Sequence, residues 1–246
     1  MINILEMDRE EILAIRPEAI TRFLNLAEVA HIFKTLGAFW QYDYEAAGRG
    51  RVVPHAELKS GRHSDGFFAS KIILEPENVR RIIAQQMVWR IKNEKMPKPD
   101  YVVGIPNGAT ILGKEIADLL GTPAAKMRKN AEGFFVFETK LPRREIVVLL
   151  VEDVCTEGTA FKQAVLEIKR SVYSVKILPW NSVIINRGRL KEVFVNGVGA
   201  FKILPVAEIK MTDWKAGECI LCESGSKAIK PKETDEAWSL ITASQS

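Results

Sequence analysis

Across its 246 residues the chain has no apolar run approaching the ~18–20 residues of a membrane-spanning helix. Its opening stretch carries Glu6, Asp8, Glu10 and Glu11, which does not fit the basic-then-apolar pattern of a secretion signal. The expected location is cytoplasmic, with no membrane partner. Charge of one sign is also scarce. The formal net charge is +4 and the pI about 8.9, and Lys and Arg are mixed among acids along the chain. Without a clustered basic stripe, nucleic acid is not an expected partner. There is no internal repeat and no low-complexity linker.

Cysteine and histidine are few. Cys155 reads as a small packed filler. Cys219-Ile-Leu-Cys222 is a lone CxxC pair. Zinc needs two more ligands, and neither a second CxxC nor a nearby histidine pair follows it, because His31, His55 and His63 all lie far upstream. A strand-then-helix redox context is missing too. The pair therefore reads as two thiols in a C-terminal turn, with a zinc site shared across a dimer as the alternative.

The composition, 47% hydrophobic and 27% charged, is that of a soluble globular protein with one α/β domain and appendages. The most informative segment is 147–160. Val147 to Val151 is an apolar run typical of a strand buried on both faces. It ends in Glu152-Asp153, then a loop with Thr156, Gly158 and Thr159, then an amphipathic helix with Phe161, Val165 and Ile168 on one stripe. A helix N-terminus binds phosphate through unpaired N–H groups and its positive dipole end. Gly158 allows close approach, threonine hydroxyls add donors, and the acids can take sugar hydroxyls or hold magnesium through water. Val102 to Thr110, with Gly104-Ile105-Pro106-Asn107-Gly108 as its turn, forms a second strand–turn–helix anion cradle.

Strands near 101–104, 123–127, 146–151 and 174–186 alternate with helices at 109–120 and 158–170, which predicts a parallel sheet covered on both faces. Ligands of such sheets bind beyond the C-terminal strand ends, where Gly104, Arg128, Asp153 and Arg187 fall. Pro76 to Lys95 is a further helix. Residues 9 to 47 read as helical with a break at Arg16-Pro17, one face carrying Ile20, Phe23, Leu24, Ala27, Ala30 and His31. The expected organisation is an N-terminal helical segment (1–50), an α/β core (51–205) and a C-terminal extension (206–246) whose last residues look peripheral.

Val151-Glu152-Asp153-Val154-Cys155-Thr156-Glu157-Gly158-Thr159-Ala160 resembles the phosphoribosyl pyrophosphate (PRPP) motif of type I phosphoribosyltransferases. Leu58-Lys59-Ser60-Gly61, followed by Ser64 and the pair Phe67-Phe68, resembles the N-terminal stretch of their orotate members. The resemblance implies the type I phosphoribosyltransferase fold. It also implies transfer of ribose 5-phosphate from PRPP to a base, most similar to orotate, with Mg2+ as cofactor and a homodimeric assembly. By resemblance Glu152 and Asp153 hold the ribose and, with PRPP and water, the Mg2+. Thr156, Glu157, Gly158, Thr159 and Ala160 bind the 5′-phosphate. Lys59 and the turn Ile105, Pro106, Asn107 and Gly108, often bearing a non-proline cis peptide, bind pyrophosphate. Arg128 and Lys129 act in catalysis at the entry to a mobile loop. Phe67 and Phe68 lie along the base, and Arg187 grips its carboxylate.

Three departures bear on activity. Glu157 stands where a small residue is usual, Asn107 where a lysine is common, and the segment Asn130 to Phe135 lacks the loop lysine and histidine. Less positive charge then meets the leaving group, usually the largest catalytic contribution. The alternatives are transfer to another base, or a catalytically weak protein that senses PRPP or a nucleotide.

Overall fold

The computed structural model describes residues 2–142, 144–172, 174–231 and 233–243. Contacts divide the chain into two compact units, Met1–Ile32 with Ser70–Ile209 and Phe33–Ala69 with Lys210–Ser246. This partition differs from a 1–50, 51–205, 206–246 division. The chain beyond residue 210 returns to pair with strands between 55 and 64.

The first unit contains helix α1 (Glu77–Asn93), strand β1 (Tyr101–Gly104), helix α2 (Thr110–Leu120) and the short strands β2 (Ala124–Ala125), β3 (Met127–Lys129) and β4 (Phe135–Phe137). These are followed by β5 (Ile146–Cys155), helix α3 (Thr159–Ser171), β6 (Val175–Asn186), β7 (Glu192–Val195) and β8 (Gly199–Glu208). Its six-stranded sheet has the order β7-β8-β6-β5-β1-β2. Every pair from β8 to β2 is parallel, and β7 adds an antiparallel edge. The β7–β8 hairpin was not expected, because its inward positions, Val193, Val195 and Phe201, are interrupted by polar and glycine residues. The expected strand at 123–127 is two pieces: β2 joins the sheet, while β3 leaves it to pair with β4 as a separate ribbon.

Strand β5 is the spine. Ile146, Val148, Leu149, Leu150 and Val151 are all fully buried, each contributing about 1.5–3 kcal/mol by leaving water. Side chains alternate along it. Val148 and Leu150 join Phe161, Ala164, Val165 and Ile168 of α3 on one face, while α1 and α2 pack together over the other. The N-terminal segment is pinned to α1 by two side chains. Asn78 donates to the carbonyls of Ile12, Leu13 and Ile15. Buried Gln86 accepts from Leu24 N at 2.8 Å and donates to Arg22 O at 3.0 Å.

Residues 9–47 are less helical than expected, with helices Arg9–Ala14, Leu26–Thr35 and Tyr44–Gly48 and a strand, Phe39–Gln41. Helix Leu26–Thr35 starts at a capping box: Asn25 Oδ1 accepts from Glu28 N, Glu28 Oε2 accepts from Asn25 N, and Arg22 clamps the Glu28 carboxylate. Starting there turns Val29, Ile32 and Phe33 inward; of the expected face, Ile20 and Leu24 are buried, Ala30 and His31 half-buried, and Phe23 and Ala27 exposed.

In the second unit, strands His55–Glu57 and His63–Ser64 form an antiparallel pair, flanked by Asp213–Trp214 on one side and Ala228–Ile229 on the other. Its core holds Trp40, Tyr42, Val53, Phe67, Cys219, Leu221 and Ile241. No helix among the described residues is long and apolar enough to cross a membrane.

Candidate active site

Strand β5 continues past its apolar run as far as Cys155, so Glu152 and Asp153 are strand residues whose side chains point to opposite faces. Asp153 stays partly exposed. Its Oδ2 accepts from Ser70 Oγ at 2.6 Å, and its carboxylate fills the space that a side chain at position 108 would need, which makes glycine necessary there. Glu152 turns the other way, beneath α3, and is 4% exposed. Asn181 Nδ2 donates to it at 2.7 Å. Burial pushes its carboxyl up to about 8, opposed by that hydrogen bond and assisted by the Asp153 charge. The acid pair is therefore divided into one group facing the strand-end loops and one buried group that keeps its proton at neutral pH.

The loop after β5 leads directly into α3. Burial of Cys155 pushes its thiol up to about 12, consistent with an inert filler. Glu157 is exposed. Gly158 caps the helix at φ 69°, and a Cβ there would lie 2.5 Å from Val193 Cγ2, so both backbone and packing require glycine. Thr159 and Ala160 open the 13-residue helix. Just past the end of the neighbouring strand β6, Arg187 is buried and its backbone N–H donates to Cys155 O at 2.9 Å. Gly188 packs on the Thr156 backbone. Strand β1 lies on the other side of β5. Ile105 N donates to Val151 O at 2.8 Å, Pro106 is buried, Asn107 is exposed, and the Pro106–Asn107 peptide is cis. The loops of β6, β5 and β1 are thus successive neighbours along one sheet edge.

The β3–β4 ribbon carries Arg128 and Lys129, both exposed. Arg128 Nε donates to Glu138 Oε1 at 2.5 Å, and Lys129 Nζ lies 5.2 Å from the centre of the Phe135 ring. Asn130 organises the turn by accepting from Phe134 N at 2.8 Å. In the second unit, Lys59 and Phe67 line one cavity of about 380 Å³ with Glu57, Lys230, Pro231 and Glu233. Phe68 is not part of it; its ring packs 4.9 Å from that of Phe33.

Several residues at these sites gave no signal in the sequence. Ser70 follows no motif, and Asn181 sits inside an apolar strand. The same holds for the histidines. Cys219 and Cys222, expected to lack a histidine pair, stand beside both His55 and His63, brought there by the strand pairing of the second unit.

No family model matches the chain. It is similar to the orotate phosphoribosyltransferase of Caldanaerobacter subterraneus subsp. tengcongensis, with 28% identity over 183 residues covering 72% of this chain and 87% of that one. In fold it resembles the orotate phosphoribosyltransferase from Aeropyrum pernix (TM-score 0.50, 21% identity, 66% of this chain and 90% of that one). It also resembles Leishmania donovani UMP synthase (TM-score 0.56, 16% identity, 92% of this chain and 43% of that one). With its parallel sheet and two strand-to-helix loops on adjacent strands, the protein has the fold of the type I phosphoribosyltransferases, and its sequence resembles their orotate members.

Proposed function

We propose that the protein transfers the ribose 5-phosphate group of PRPP to a ring nitrogen of orotate, forming orotidine 5′-monophosphate and pyrophosphate in pyrimidine biosynthesis. The observation that carries this reading is the adjacency of β1 and β5, with Gly108 of one loop against Asp153 beside the other. That spacing suits one substrate with a phosphate at one end and a pyrophosphate at the other. The N-terminus of α3, from Thr156 to Ala160, takes the 5′-phosphate. The turn Ile105 to Gly108 takes the pyrophosphate. Asp153, oriented by Ser70, accepts hydrogen bonds from the ribose hydroxyls.

In the reaction the sugar C1–oxygen bond breaks and its electron pair leaves with pyrophosphate. The base nitrogen supplies the new bond to the oxocarbenium-like carbon. The protein contributes position and charge rather than a covalent intermediate. Magnesium fits the donors present, one partly exposed carboxylate at Asp153 with the other ligands from PRPP oxygens and water. Bound there, it would offset charge on the pyrophosphate. Glu152, buried and protonated, is assigned to holding β5 and β6 together through Asn181. By resemblance to the orotate members, Lys59 is assigned to the pyrophosphate, Phe67 to the base and Arg187 to the orotate carboxylate. A homodimer belongs to the same reading, with Arg128 and Lys129 serving the pyrophosphate.

A second reading, PRPP binding with weak turnover, is favoured by one feature. The ribbon lacks the loop lysine and histidine, and Glu138 neutralises Arg128. Pyrophosphate release from PRPP and Mg2+, with orotate, uracil, adenine, guanine and hypoxanthine tested separately, decides between them. Release with orotate alone, lost in Asp153→Asn, supports the transferase. Stabilisation by PRPP without release supports the second reading, and the absence of both release and stabilisation overturns both readings.

A further inference from the structure

Four metal-binding side chains in the second unit converge without any part in the proposed transfer. His55 and His63 come from paired strands, and Cys219 and Cys222 from the start of a short helix, Ile220–Glu223. His55 is fully buried, His63 is 8% and Cys219 1% exposed, and Cys222 is the outermost.

Four distances among the ligand atoms lie close to those around a tetrahedral ion. Zinc bonds of about 2.0–2.1 Å to nitrogen and about 2.3 Å to sulfur set ligand atoms about 3.3 Å (N···N), about 3.5 Å (N···S) and about 3.8 Å (S···S) apart. Here His55 Nε2 and His63 Nδ1 are 3.0 Å apart. Cys219 Sγ and Cys222 Sγ each lie 3.5 Å from His55 Nε2, and Cys222 Sγ lies 3.3 Å from His63 Nδ1. All four atoms fall within 4.8 Å of one another, room for a single ion and not for an iron–sulfur cluster.

The surroundings orient the ligands. Ser226 Oγ donates to Val53 O at 2.6 Å and so can only accept from His55 Nδ1, 2.8 Å away. That assigns the His55 proton to Nδ1 and points the free lone pair of Nε2 into the cluster, the arrangement in which an outer hydrogen bond fixes a metal-binding tautomer.

We propose that His55, His63, Cys219 and Cys222 bind one zinc ion in a closed, structural site that fastens the C-terminal segment to the strand pair 55–64. With all four positions taken by protein, the ion has no open coordination site and no catalytic part. Its role is that of a staple. The unit consists of two segments, Phe33–Ala69 and Lys210–Ser246, separated in sequence by Ser70–Ile209 of the first unit. A small unit with a modest core gains stability from such a tie, since metal binding adds directly to folding. This inference is independent of the transferase reading.

The test uses the untagged full chain. Metal analysis should find one zinc per chain. Chelator-stripped protein titrated with Co2+ should give the visible spectrum of a tetrahedral thiolate site, saturating at one equivalent. Stripping should lower Tm by at least about 5 °C, restored by zinc. Cys219→Ser and His63→Gln should each abolish stoichiometric binding. Should those variants fail to fold, the Co2+ titration of the unaltered chain decides alone. Substoichiometric zinc, an octahedral Co2+ spectrum, or a Tm indifferent to chelation would each overturn the proposal in favour of a hydrogen-bonded histidine pair beside two free thiols.

Discussion

In the first unit, the residues assigned to phosphate come from two strand–loop–helix segments, each about ten residues long and continuous in sequence. In the second, the four candidate metal ligands come as two pairs, His55 with His63 and Cys219 with Cys222, lying far apart in sequence. The first site gets its geometry locally. A parallel strand ends, a glycine turns the chain, and a helix begins with its amides facing the loop. The second exists only because the chain beyond residue 210 returns to pair with strands near residues 55 and 63. Local construction leaves a readable motif; assembly by strand pairing leaves none.

The largest effect that breaks this comparison is expected at Asp153. Asp153→Asn should lower kcat/KM at least ~100-fold while melting stays unchanged, because the carboxylate is partly exposed and its loss removes charge where the sugar cation develops. Steady-state kinetics beside a thermal melt check this. A comparable loss of stability would make Asp153 a structural residue instead.

Glu152 sharpens the contrast within one motif. Its carboxyl sits near 8 in the folded protein against 4.5 in the unfolded chain. Below pH 4.5 both states are protonated. Between 4.5 and 8 only the unfolded state gives up its proton, so stability falls as pH rises through that window, by on the order of 2–4 kcal/mol. Glu152→Gln should flatten this slope. Urea titrations at pH 5 and pH 8 measure it, and an unchanged slope would place the titration elsewhere.

Gly158 tests local construction directly. Gly158→Ala forces a side chain into a positive-φ position against Val193, for an expected loss of about 1–3 kcal/mol together with weaker PRPP binding. Adding Val193→Ala should restore the packing share only. Denaturation of both variants separates the two costs.

The smallest effect concerns the second site. Ser226→Ala should weaken zinc binding about 10–100-fold without changing turnover. Competition with a chromophoric chelator reads the affinity, and no change would mean that His55 is oriented without Ser226.

Much of the first unit was legible because its signals are short. The run Val147–Val151, the helix from Thr159 and the turn at Gly104–Gly108 follow rules of period, capping and backbone freedom that act within ten residues. Where legibility failed, partners were distant. Glu152 and Asp153 looked equivalent in sequence, yet pleating sends one beneath α3 and the other toward Gly108. Phe67 and Phe68 separate for the same reason, one lining a cavity and one packed on Phe33. The helix face between residues 20 and 31 was displaced because Asn25 and Glu28, tied to Arg22, set a later start than periodicity suggested. The β7–β8 hairpin was hidden by an alternation too weak to notice.

By itself, then, the sequence determined the parallel α/β core, its strand-end loops and the chemistry those loops offer, because hydrophobic period and glycine turns are local properties of a chain. Tertiary structure alone decided which acid is buried, which aromatic lines a cavity and that two upstream histidines join a downstream CxxC. Those outcomes depend on pleat direction and on strands paired across more than 140 residues, and no local rule carries that information.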